Sequence, residues 1–265
     1  MTTRWLATSA AILAALAQFA FAQSGPKVAG IPRLPDGKPD LQGIWEVRNT
    51  ADGNLEAHSA AAGIRAGEGV IVDPPDGKIP YQPWALAKQK ENFSRRATAD
   101  PVNKCFLPGV PRITYMHYPF QIFQTPKFIA ITYEYVHASR TIHMDGSPHL
   151  DDIEFWMGDS RGRWEGDTLV VDVADNNRET WLDMSGNFHS EALHVVERYT
   201  RTSPDILQFE ATIEDPKVYT KPWRISVPLY RHAERTAQLY EYECHVYREK
   251  EAGQSLSPAN PEQSR

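Results

Sequence analysis

The sequence predicts a mainly β protein, an antiparallel up-and-down barrel or strongly curved sheet of the lipocalin-like kind, with an irregular N-terminal part and one short helix. Three observations predict it. From Phe120 onward the chain breaks into short runs rich in β-branched and aromatic residues. Turn residues punctuate those runs at Thr125-Pro126, Asp145-Gly146, Glu165-Gly166-Asp167, Ser203-Pro204-Asp205 and Asp215-Pro216. Eight such strands in succession can close on themselves and remove exposed edges, which a flat sheet cannot do. A two-sheet sandwich is the alternative architecture.

Taken in order, the chain opens with an export signal. Arg4 supplies the positive end, Leu6 to Phe19 the apolar stretch, and Ala20-Phe21-Ala22 the small-residue cleavage site, so residues 1–22 are expected to be removed. Residues 23–38 lack periodicity and read as an extended arm, and residues 39–248 as a single β-rich domain. Within it, Pro39 to Trp45 enters a first strand on the apolar anchors Leu41, Ile44 and Trp45, and Thr50 to Gly69 reads as a surface loop. Pro74-Pro75-Asp76-Gly77 makes a turn, and Trp84 to Phe93 suits a short helix beginning after Pro83. The eight strand candidates are Gln121 to Gln124, Phe128 to Tyr135, Arg140 to Met144, Trp164 to Val173, His194 to Arg201, Leu207 to Ile213, Trp223 to Leu229 and Leu239 to Tyr247. Residues 249–265 are polar and read as a disordered tail.

Export and charge narrow the partners. The formal net charge is −6, one unit more negative once Arg4 leaves, and no basic stripe suits nucleic acid. After the signal no segment is apolar and long enough to span a bilayer as a helix. The expected location is periplasmic or secreted. An oxidising compartment lets the two cysteines, Cys105 and Cys244, pair, tying the irregular first half to the end of the domain. Two buried thiols, or a Cys244-His245 ligand pair, are the alternatives.

Chemistry is carried by several constellations. In WMGDSRGRWEGDTLVVDV, Trp156 to Val173, the groups Asp159, Arg161 and Arg163 lie between Trp156, Met157 and Trp164 ahead of the Glu165-Gly166-Asp167 hairpin. That suits ligand binding beside an apolar surface, and it equally suits a structural ion-pair corner. Along Phe128 to Tyr135 one face carries Tyr133 and the other Glu134, so whichever face is inside offers a group able to exchange a proton or donate a hydrogen bond. His189 sits at a strand entrance and His194 opens the strand, an acid/base pair by chemistry with Glu191 or Glu197 to orient a ring. Arg140 and Arg198 offer the planar fork that clamps a carboxylate, with pairing to Asp152, Asp159 or Glu197 as the structural alternative.

Nine histidines raise a metal, with His137, His143 and His149 evenly spaced and His117 beside Tyr118. That spacing matches no familiar ligand pattern, so no metal is expected. Absent too are a phosphate-binding glycine loop, a GxSxG elbow and a dinucleotide fingerprint, so no cofactor is expected.

The segments PDLQGIW, MGDSRGRWEGDTLVVDV, FHSEALHVVERYTR and DPKVYTKPW together resemble a widespread family of exported, mostly uncharacterised bacterial proteins. A weaker similarity is to cofactor-free decarboxylases in the catabolism of lignin-derived aromatic dimers, from which no site residue is carried over. The resulting expectation is a cofactor-independent lyase, of decarboxylase type, acting on a small aromatic or apolar acid in a barrel pocket. His189, His194, Tyr133 and Glu134 are its candidate catalysts. Arg140, Arg198, Trp156, Asp159 and Arg161 are its candidate substrate contacts. A carrier of a hydrophobic ligand and an envelope protein-interaction module are the alternatives.

Overall fold

The computed structural model describes residues 30–150, 152–251 and 253. The expected export signal, most of the arm and nearly all of the tail lie outside the described residues.

The first strands are β1 (Gly43–Val47) and β2 (Ile71–Asp73), followed by helices α1 (Pro83–Ala99) and α2 (Arg112–Tyr115). A run of strands follows: β3 (Phe120–Gln124), β4 (Phe128–Tyr133), β5 (Ser139–His143), β6 (Asp159–Glu165), β7 (Thr168–Ala174), β8 (His194–Ser203), β9 (Ile206–Glu214) and β10 (Trp223–Arg231). Helix α3 (Cys244–Glu251) comes last. β1 and β3 to β10 close into a nine-strand barrel, and β2 adds to β10 as an extra strand.

Nine is an odd number, and that has a geometric consequence. Antiparallel neighbours alternate in direction around a ring, so an odd ring cannot close without one parallel pair. That pair is β5 and β6, in register at Ile142↔Ser160 and His143↔Arg161. All other strand-to-strand pairings among the described residues are antiparallel. The chain reaches the parallel register by returning the length of the barrel through residues 144–158, of the length such crossovers need.

Alternation builds the wall. In β8 the buried positions are Val195, Glu197, Tyr199 and Arg201, in β9 Leu207, Phe209, Ala211 and Ile213, and in β10 Trp223, Ile225, Val227 and Leu229. Each strand thereby sends every second side chain inward. Trp45, Phe120, Phe209 and Trp223 are among the largest fully buried side chains there.

Several expectations need correction. Leu239 to Tyr247 is no strand: Tyr242 makes one isolated bridge to Tyr135, and helix α3 starts at Cys244 and runs past the expected tail boundary to Glu251. The run Trp164 to Val173 spans a hairpin, because Trp164 and Glu165 belong to β6 while Thr168 and Leu169, which they face, belong to β7. Residues 30–38 are not extended: Gly37 N donates to Leu34 O, Asp40 N to Pro32 O, and Arg33 pairs with Asp167 at the β6–β7 turn. The helix after Pro83 runs on to Ala99, since nothing in its last turns, Ser94-Arg-Arg-Ala-Thr-Ala99, breaks it before Pro101. The Thr50 to Gly69 segment buries Ala51, Leu55 and Ile64 and packs on the protein rather than standing off it.

The two ends of the barrel differ. At one, β3–β4, β6–β7 and β8–β9 join through two or three residues. At the other, here the mouth, lie the long stretch from β1 to β3 and the 175–193 and 215–222 connections. Helix α2, buried at all four positions, plugs this mouth, with Thr114 facing the interior hydroxyls of Tyr133 and Tyr199. A Cys105–Cys244 disulfide, with Cα atoms 5.5 Å apart, fastens the C-terminal strap to the same end. No helix among the described residues is long and apolar enough to cross a membrane.

Candidate functional site

The residues singled out from sequence do not converge on one place. His189 is buried, with Nδ1 donating to Ser190 O at 2.8 Å and Nε2 2.7 Å from the Thr180 hydroxyl. Burial lowers its pKa, and both ring nitrogens are in use, so the ring is a neutral structural bridge. His194 lies on the outer face of β8, its Nε2 3.0 Å from Asp172 Oδ1, and forms no pair with His189. Glu134, just beyond β4, accepts from Tyr240 N at 2.9 Å and so anchors the strap.

Tyr133 and Arg140 do come together, inside the barrel. Arg140 Nη2 is 2.7 Å from Glu197 Oε2, with the two side chains 2% and 0% exposed, and Nε donates to Ser160 Oγ at 2.9 Å. Burial pushes the Tyr133 phenol up to about 12. Burial alone would weaken the Arg140 charge, and Glu197 outweighs it, so the guanidinium is already matched and sealed from solvent. Arg198 is on the outer wall, donating to Glu165 at 2.9 Å. Trp156 packs on Phe106 with ring centres 5.2 Å apart. Asp159 and Arg161 pair at 2.8 Å, which realises the ion-pair corner. Of the evenly spaced histidines, His137 is drawn to Glu243 at 2.7 Å, away from His149.

The open chemistry is at the mouth. A cleft of about 330 Å³ lies between the 49–53 and 63–65 segments, α2 and the 182–187 turn, with Asp52, Ile64, Arg65, Tyr115, His117 and Met184 on its walls. Below it Arg112, 1% exposed, donates through Nε to Asp52 Oδ1 at 2.8 Å and through both Nη atoms to the two oxygens of Asp100 at 2.9 Å each. Burial works to raise the Asp52 carboxyl, yet Arg112, helped by His117, holds it below the ordinary range. His117 Nδ1 stands 3.9 Å from the other Asp52 oxygen, with its ring exposed to the cleft. A charged carboxylate thus sits behind an accessible imidazole.

A second aspartate stitches the rim. Asp183 accepts from Leu55 N at 3.0 Å, Ser185 N at 2.9 Å and Asn187 Nδ2 at 2.5 Å, and burial pushes its carboxyl up to about 7. Asn187 in turn accepts from the Tyr81 hydroxyl at 2.9 Å, beside a cleft of about 310 Å³ that includes Glu56 and Lys78. Met184 N donates to Asp52 O at 2.7 Å, so the turn carrying Asp183 also positions the Asp52 loop.

Asp52, Arg65 and Arg112 escaped the sequence reading, and His117 entered it only as one histidine among the metal candidates, because the four come from three segments with no shared period or motif. The one local signal was the sequence Arg112-Ile-Thr-Tyr-Met-His117, where a cation and an imidazole lie among apolar residues. No protein-family model, curated protein or solved structure matches this chain.

Proposed function

We propose that the protein is an exported, cofactor-independent lyase that acts by acid/base chemistry on a small aromatic or apolar acid bound in the mouth cleft. The carrying observation is the series His117, Asp52, Arg112, Asp100, in which His117 is the member exposed to the cleft and the two groups at the far end are buried. A buried carboxylate kept ionised by Arg112 stands behind the exposed ring, and an imidazole in that position can take a proton from a bound substrate and return it. Arg65 orients the substrate carboxylate at the rim, and Ile64, Tyr115 and Met184 receive the apolar part. For a decarboxylation, the bond between the substrate carbon and its carboxylate breaks to release carbon dioxide. Its electron pair spreads into the conjugated system, and His117 delivers the proton where that pair ends. The disulfide and the signal-like N-terminal sequence support export.

The test is turnover of a panel of hydroxylated aryl-acrylic and aryl-substituted acids, followed by substrate loss and carbon dioxide release. His117→Ala is expected to lower turnover by roughly 10²-fold or more, with melting within a few degrees of the parent because the ring is exposed. Turnover indifferent to His117→Ala and Arg65→Ala would overturn the assignment. Tight binding in the cleft with no product from any acid would make the protein a carrier instead.

A further inference from the structure

We propose that His149, Asp159 and Asp175 form a binding site for a divalent transition-metal cation at the seam where β5 and β6 run parallel. One donor atom from each residue lies within 4.8 Å of the other two. A cation held at about 2.0–2.2 Å by tetrahedral nitrogen and oxygen ligands has its donor atoms about 3.3–3.6 Å apart, so an ion would draw the Asp175 carboxylate in towards a His149–Asp159 pair that already stands at 3.0 Å. Asp159 is buried at the mouth end of β6, Asp175 follows the last residue of β7, and His149 comes from the 144–158 crossover. The set therefore joins three chain segments that meet only in the fold.

An independent feature is the way the imidazole is oriented. His149 Nε2 lies 3.0 Å from Asp172 Oδ1, and Nδ1 lies 3.0 Å from Asp159 Oδ2. Carboxylate oxygens only accept, so the neutral ring gives its one N–H to a single partner and presents a lone pair to the other. With the proton on Nε2 and directed to Asp172, the Nδ1 lone pair faces Asp159, and a cation placed there turns that repulsion into two bonds. An imidazole that ligates through one nitrogen while its other N–H rests on a carboxylate is the usual outer support of a metal-bound histidine. Asp172 is itself fixed by His194, and Asp159 Oδ2 by Arg161 and by Leu150 N. One nitrogen and two carboxylates suit Zn²⁺ or Mn²⁺. Such an ion would clamp the crossover to the wall at the seam, beside the bond from Phe155 N to Asp175 O at 2.7 Å.

The competing occupant is a proton, which makes His149 an imidazolium bridging Asp159 and Asp172 without any need for Asp175. The full chain, stripped with a chelator and desalted, is titrated separately with Zn²⁺ and Mn²⁺ by calorimetry, with metal content measured after a second desalting. One equivalent of at least one of the two cations is expected. His149→Ala and Asp175→Asn should each weaken binding by at least about tenfold, whereas His137→Ala, at a histidine paired elsewhere, should not. Circular dichroism checks folding, and if His149→Ala does not fold, the near-isosteric Asp175→Asn decides. Absence of stoichiometric binding, or equal affinity in the parent and Asp175→Asn, would overturn the site and leave the proton bridge.

Discussion

The two ends of the barrel handle buried charge in opposite ways. At the short-turn end Arg201 is buried over Trp45 and spends its donors on the backbone carbonyls of Asp40, Ser203 and Pro204. At the mouth Arg112 is equally buried and spends its donors on two carboxylates, one of which backs an accessible histidine. Carbonyl partners close a barrel without introducing a group that titrates. Carboxylate partners introduce groups whose charge responds to a neighbour, and catalysis needs such groups. The mouth is also where long connections replace two-residue turns, so side chains from distant segments meet there on a rigid wall.

The largest effect expected from this contrast is at Arg112. Removing the guanidinium leaves Asp52 and Asp100 buried without their counter-ion, so Arg112→Ala should cost about 3–5 kcal/mol in denaturant unfolding. Asp100 also accepts from Val102 N at 3.0 Å, which keeps part of its satisfaction and places the cost below that of two isolated charges. A loss under about 1 kcal/mol would mean that the mouth is as undemanding as the surface, and the contrast between the ends would fall.

The wall was legible in the sequence and the mouth was not, for a physical reason. Strands β8 to β10 bury one face and alternate, so period two shows in Val195, Glu197, Tyr199 and again in Leu207, Phe209, Ala211. Arg140 was found because it sits on such a strand, although its charge is already paired with Glu197 inside the barrel. Strand β6, DSRGRWE, carries no β-rich pattern and is held by its neighbours. The apparent strand at Leu239 to Tyr247 misled because Tyr242 and Cys244 are apolar anchors of a strap that docks on Tyr135 and Cys105, not one face of a sheet. Spacings of 52, 112 and 117, or of 149, 159 and 175, follow from how loops cross in space, and no local periodicity records that.

An intermediate effect is expected at Asp183 and bears on the rim. Its carboxyl ionises near 7 when folded, against about 3.9 in an unfolded chain. The folded state therefore keeps a proton that the unfolded state has already released. Stability from this group is complete below about pH 4 and declines as pH rises towards 7, the opposite of Asp52, whose lowered pKa adds stability that disappears only in acid. Between pH 5 and 8 the parent should lose roughly 2–3 kcal/mol more than Asp183→Asn, measured by urea unfolding at both pH values. Histidine titrations are common to both proteins and cancel in the difference. Parallel slopes would show that the backbone and Asn187 donors around Asp183 keep it charged, and the rim would then be rigid across this range.

The smallest effect is expected at Arg198, which tests the wall directly. Its side chain is 38% exposed and donates to a Glu165 that is 41% exposed. Arg163 also reaches Glu165, at 2.8 Å, so removing Arg198 leaves the carboxylate with a cation. Two solvated ions gain little from each other because water screens them and both side chains lose freedom on pairing, which puts Arg198→Ala at no more than about 0.5 kcal/mol, or roughly 1–2 °C in melting. Turnover should be unchanged as well, since nothing in the mouth cleft rests on this residue. If Arg198→Ala abolished turnover at unchanged melting temperature, the outer wall would carry the substrate contact that the sequence suggested. The mouth, with all its buried charge, would then be only the structural end of the barrel.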